Sequence, residues 1–229
     1  MAVYYIKHTK ADSIRFVGHL DLQQAIQRNI IRADIGVMYS NGFNPHLLLS
    51  SAQPLSVGVS SQAEYLMVEL DTVKSDGRIL EDLNQTSPEG IKYLMVRSMA
   101  PGMKAPMTIL NAVDSVIRIP SEPAFAPELE TFLNRDCPIP VKTVNKKKIE
   151  KIKDLRPLIQ PGAKVSFKDG YTEIELRTLA GSRDHLNLEH FLTYLKDNFQ
   201  GIHSERFIPI RRLEMYTRRD GGFIPLDEL

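Results

Sequence analysis

Between Gly18 and Gly36, apolar residues recur at Leu22, Ile26, Ile30 and Ala33, at spacings of four, four and three. This recurrence puts all four on one face of a helix and leaves Gln24, Gln27, Arg28 and Arg32 opposite, so it predicts a helix over residues 19–34. Residues 63–70 follow a different period. Tyr65, Met67 and Glu69 alternate with Leu66, Val68 and Leu70, the pattern of a strand. A chain carrying both periods in close succession must pack helix on sheet.

The neighbouring segments extend this scheme. Residues 3–7 read as a strand that 13–17 prolong after the turn-like Lys10-Ala11-Asp12, and 37–51 as a strand broken by Asn41-Gly42 and Asn44-Pro45. A short helix over 77–84 and a strand over 91–99 complete a β-α-β-β-α-β order, that of a ferredoxin-like split βαβ unit. Residues 100–112 hold two prolines and a glycine and make a junction. The order then returns, with a strand over 115–119, a helix over 127–134 and paired segments over 141–152 and 152–159. A hairpin turns at Lys168-Asp169-Gly170, Asn187 opens a helix, and a strand over 207–216 closes the chain. The expected fold is α+β, with two tandem ferredoxin-like domains over 1–110 and 111–229.

Composition narrows the function. A net charge of +1 gives no bulk attraction to nucleic acid or membrane, so any such binding must come from local clusters. The single cysteine, Cys137, cannot form an internal disulfide or supply the thiolate set of an iron–sulfur centre, and without a basic neighbour it reads as inert. Nowhere are there eighteen apolar residues in succession, and the first residues lack a signal-peptide core. A cytoplasmic protein with no membrane role is expected.

Polar chemistry gathers between Arg15 and Glu64. His19 and His46 are the side chains most able to move protons near neutral pH, Asp21 or Glu64 could orient them, and Tyr39 or Ser40 could donate to a substrate oxygen. With Arg15 and Asn44 these form the candidate substrate site, and His19, His46 and Asp21 the candidate catalytic group. The competing reading is that His19 and Asp21 satisfy the free N–H groups of a helix start and that His46 packs on Tyr39. His19, Asp21, His46 and Glu64 have metal-binding side chains but no compact metal-binding spacing, and no metal or other cofactor is expected.

Two basic clusters follow. Lys142, Lys146, Lys147, Lys148, Lys151 and Lys153, with Arg156, could neutralise phosphates, or could be solvated lysines guarding a sheet edge. Arg206, Arg211, Arg212, Arg218 and Arg219 lie among Phe207 and Tyr216, a composition suited to stacking bases.

Four blocks, RFVGHLDL, YSNGFNPH, PLSVGVSSQAEYL and DLRPLI, together resemble the bacterial domain-of-unknown-function family of radical-SAM-linked proteins, encoded beside or fused to a radical S-adenosylmethionine (SAM) enzyme. The chain departs from that family at Gln24, where members usually have Arg, and at Leu47-Leu48, where a Pro and a basic residue commonly follow NPH. The resemblance implies an association with radical SAM chemistry or RNA biology. The expected role is therefore a non-enzymatic partner of a separate radical SAM enzyme that binds RNA or presents a substrate. The alternative is a metal-independent RNA-cleaving or RNA-modifying enzyme using His19 and His46.

Overall fold

The computed structural model describes residues 2–100, 103–144, 150–181 and 184–229. In chain order the strands and helices are β1 (Ala2–Lys10), α1 (His19–Arg32), β2 (Leu49–Ser51), β3 (Val59–Leu70), α2 (Asp76–Gln85), β4 (Tyr93–Ser98), α3 (Pro106–Ile109), β5 (Ala112–Pro120), α4 (Phe125–Leu133), β6 (Pro140–Val144), β7 (Glu150–Asp154), β8 (Lys164–Lys168), β9 (Tyr171–Leu179), α5 (Leu188–Asn198), β10 (Ile210–Arg219) and β11 (Gly222–Pro225). The fold is mixed α+β. No helix among the described residues is long and apolar enough to cross a membrane.

The chain forms two units, Met1–Leu110 with Arg212–Leu229, and Asn111–Arg211. In the first, β1 pairs antiparallel with β3 on one side and β4 on the other, and β2 pairs antiparallel with the far edge of β3. Strand β10 also neighbours β3, and β11 folds back on β10. Leu22, Ile26, Ile30 and Ala33 of α1 are all buried with Ile6, Leu66, Val68 and Leu70 of the sheet and Ile79 and Leu83 of α2, as the two sequence periods require. The second unit expected from sequence runs to 229, but 212–229 fold with the first.

Two local expectations change. Residues 13–17 form no strand: Asp12–Ile14 make one 3₁₀ turn, and the Arg15 and Val17 carbonyls are taken by the Lys10 ammonium instead of a neighbouring strand. Of 37–51 only Leu49–Ser51 is a strand, with single bridges at Val37–Leu70 and Tyr39–Leu47, because the Gly42 and Pro45 turns bow the chain away between them.

In the second unit β9 lies between β5 and β8, all antiparallel, while β6 and β7 pair only with each other as a separate two-stranded sheet. The turn at Asp169-Gly170 uses φ values of 52° and 78°, which suit a tight hairpin. Asn187 caps α5 by accepting from the Glu189 N–H at 2.9 Å. Phe125, Leu129, Phe191 and Leu195 from α4 and α5 pack on Ile117, Ile174 and Leu176.

Candidate functional site

Polar residues enter the first unit's core through β1. Tyr4, Ile6, His8 and Lys10 alternate along the strand and are all buried, the first two packing with α1. Lys10 is wholly enclosed, and its Nζ donates to the carbonyls of Arg15 at 2.9 Å and Val17 at 2.8 Å. The Gly58 N–H donates to the same Arg15 carbonyl at 2.9 Å. These bonds fix the RFVG segment against the sheet and set where α1 begins. Burial lowers the Lys10 pKa from its ordinary value, and the Glu64 charge partly offsets this.

Beneath the start of α1, His8 stands opposite Glu64 in the β1–β3 register. Arg212 on β10 donates through Nη1 to both Glu64 oxygens, at 2.8 and 3.0 Å. The His8 Nδ1 lies 3.1 Å from the Thr9 carbonyl, and burial lowers the His8 pKa against the opposing pull of Glu64 and that carbonyl. His8, His19, Gln23, Ser51, Gln53 and Glu64 line a small pocket of about 20 Å³, room for about one water molecule, whose apolar wall includes Leu22, Ile26 and Leu55. A second, partly buried cluster joins β1, β3 and β10 to Asp227, which follows β11: Lys7 Nζ lies 2.6 Å from both Glu214 and Asp227, and Tyr65 donates to Glu214 at 2.7 Å. There, desolvation opposes the ammonium, but bonds to Asp227 and Glu214 outweigh it and raise the Lys7 pKa.

The outer side of α1 borders a wider, open groove of about 310 Å³, lined by Gln24, Gln27, Arg28 and Ile31 and, across from them, Tyr39, Pro45, His46 and Leu47. The Tyr39–Leu47 bridge and a Ser40 N–H donating to the His46 carbonyl at 2.8 Å hold the far wall. Ser40 Oγ lies 2.7 Å from His46 Nδ1 and accepts from the His46 N–H at 3.1 Å, which orients that imidazole.

The candidate residues thus fall into separate places. His19 and Glu64 share the enclosed pocket, while Tyr39 and His46, braced by Ser40, belong to the groove. The two imidazoles expected in one cleft line different pockets. Asp21 is exposed in the first turn of α1, and Arg15 is turned to Asp12, through Nε to its carbonyl at 2.9 Å and Nη2 to its carboxylate at 3.2 Å. Asn44 stands exposed beside the solvent-facing Phe43. Among the described residues no group of three or more His, Cys, Asp or Glu could hold a metal ion.

In the second unit, Lys142, Lys151 and Lys153 are exposed on the β6–β7 hairpin, and Lys146, Lys147 and Lys148 lie outside the described residues. Arg156 faces inward instead: its guanidinium donates to the carbonyls of Cys137, Leu133 and Phe132 at 2.8 to 3.1 Å and lies over the Phe132 ring. Those donors close the C-terminal end of α4, where free carbonyls gather, and are spent for phosphate. Arg212 is likewise committed to Glu64.

Sequence reasoning passed over His8, Lys10 and Gln53. The first two carried a readable signal, since alternation from Tyr4 and Ile6 places them on the buried face, where a polar side chain needs a partner.

The first unit is thus an α+β fold in which one amphipathic helix on an antiparallel sheet borders both a small polar pocket and an open groove. Residues 4–188 match the family described as uncharacterized protein conserved in bacteria (DUF2344), and the chain belongs to that family. The matched span holds every residue lining the two pockets, but not Arg212, the partner of Glu64. No curated protein matches the chain.

Proposed function

We propose that this chain is a non-enzymatic partner of a separate radical SAM enzyme and that it holds single-stranded RNA in the groove on the outer face of α1. The observation that carries this reading is the composition of that groove. Half-exposed Tyr39 offers a ring for stacking a base, Arg28 a cation for a phosphate, and Gln24 and Gln27 amides for a base edge, around about 310 Å³ of space open to solvent. The separation of His19 from His46 favours binding over acid–base cleavage by that pair. A single cysteine leaves the iron–sulfur chemistry to the partner.

The scaffold in this reading is ferredoxin-like. The succession β4-β1-β3-β2 in the first unit supports a split βαβ, and the second unit would be a variant in which the β6–β7 hairpin stands apart. A cytoplasmic location accords with such a role.

Fluorescence anisotropy with a labelled twelve-nucleotide oligouridylate, titrated at several salt concentrations, tests it. Tyr39→Ala should weaken binding by about tenfold, as expected for one lost stacking contact. Arg28→Ala should lower the salt slope by about one phosphate contact. Absence of binding at low salt, or unchanged binding by both variants, rejects the groove as the RNA site.

A further inference from the structure

We infer that His46 is a second phosphate ligand of the groove, acting as the imidazolium, so that RNA binding draws one proton onto this side chain; the inference rests on the RNA reading of the groove. Ser40 holds the ring in place. Its Oγ lies 2.7 Å from Nδ1 and accepts from the His46 N–H at 3.1 Å, and the Ser40 N–H donates to the His46 carbonyl at 2.8 Å. Three bonds between the same two residues fix the imidazole before a ligand arrives, which saves the entropy of ordering it on binding. With Nδ1 engaged by its own wall, Nε2 is the ring nitrogen left to a ligand. The hydroxyl also serves both charge states. It donates to a bare Nδ1, leaving the ring hydrogen on Nε2, and accepts from a protonated Nδ1, so Nε2 presents an N–H in either case and protonation breaks no bond.

The surrounding charges make the proton and the phosphate depend on each other. Across the groove α1 presents Arg28 beside the uncharged Gln24, Gln27 and Ile31, and the wall of His46 itself adds Pro45, Leu47 and the Tyr39 phenol. Among the described residues no carboxylate lines the groove. Glu69 on β3 meets this wall through its backbone, accepting from the Met38 N–H at 3.3 Å and donating to the Leu48 carbonyl at 3.0 Å. A positive imidazole therefore faces a guanidinium and finds no acid in the groove to offset it. A phosphodiester entering between the two walls supplies the missing anion and attracts both cations. Imidazole is the side chain whose charge changes near neutral pH, so the anion shifts His46 towards its protonated form.

Anisotropy of the labelled oligouridylate with the full chain, repeated from about pH 8.5 down to about pH 5.5, tests the assignment. Binding should tighten about fivefold as pH falls, the worth of one exposed charge pair. The slope of log affinity against log salt should steepen by about 0.7 over the same range, as for one further single-strand phosphate. His46→Gln keeps a donor but cannot take up the charge, so it should bind like the unaltered chain at the alkaline end and lose the rise towards acid. His19→Gln, in the separate pocket beneath α1, should keep that rise. Affinity independent of pH, a rise that survives in His46→Gln, or an equal loss in His46→Gln at every pH, which would make the ring a stacking surface, would each overturn the inference. Binding that Tyr39→Ala weakens but pH leaves unchanged removes only the role of His46, whereas no binding at any pH removes the groove reading with it.

Discussion

Glu64 on β3 and Arg212 on β10 form an ion pair in which one guanidinium nitrogen serves both carboxylate oxygens, with each side chain 9 % exposed and 148 positions between them in sequence. Removing one partner leaves the other charge buried without its counter-ion, so Arg212→Met should cost about 3–5 kcal/mol. The double variant Glu64→Gln with Arg212→Met restores neutrality and should be more stable than Arg212→Met alone. Urea unfolding of the four proteins completes a double-mutant cycle. Additive losses would mean that the pair is not energetically coupled.

Lys10 acts on the same region from below. Its ammonium ties down the Arg15 and Val17 carbonyls, so Lys10→Met removes two charge-assisted bonds while keeping most of the side-chain volume. The expected loss is about 1–3 kcal/mol. Hydrogen exchange should quicken over residues 15–18, with the amides in the middle of β3 little affected. Unchanged protection over that segment would remove Lys10 from the role of fixing the start of α1.

Acid should destabilise the first unit through His8. Burial lowers its folded-state pKa below the ordinary 6.5, so below that pH the unfolded chain takes up the proton first. Stability contributed by the neutral ring is therefore present above about pH 6.5 and is lost as pH falls from there towards the folded pKa, with a slope of at most about 1.4 kcal/mol per pH unit. Urea midpoints between pH 5 and 8 measure it. His8→Gln, which cannot titrate, should flatten the slope in this range, and an equal slope in both proteins would assign the effect to other groups.

Short-range signals made much of this fold legible. The fourfold stripe from Leu22 to Ala33 gives α1 and its buried face, Asp169-Gly170 the β8–β9 turn, and Asn187 the start of α5. What stayed hidden depends on long-range pairing. Nothing local to Arg212 says that it leaves the neighbouring arginines to meet Glu64, or that residues after 211 rejoin the first unit. The strand expected over 37–51 failed because its turns hold the segment to β3 at only a few points. His19 and His46 look like neighbours in the motif, but α1 stands between the pockets they line, with Leu22 and Ile26 facing one and Gln24, Gln27 and Arg28 the other.

Gly36 and Gly77 make a paired test of the backbone that leads out of α1 and into α2. At Gly36, φ is +76°, and an added Cβ would sit 2.3 Å from the Asp71 carbonyl oxygen and 2.9 Å from its carbon, atoms that cannot rotate away. The Gly36 carbonyl also accepts from the Asp71 N–H at 2.7 Å, so relief by moving the chain would break the tie between the end of α1 and the end of β3. Left-handed strain and displaced backbone together set the cost of Gly36→Ala at about 2–5 kcal/mol. Gly77 lies in the first turn of α2 with nothing within 4 Å of an added Cβ, so Gly77→Ala should stabilise by up to about 1 kcal/mol through helix propensity alone. Thermal melts should therefore move in opposite directions for the same chemical change. A neutral Gly36→Ala would mean that the close approach to Asp71 is not needed to join α1 to the sheet.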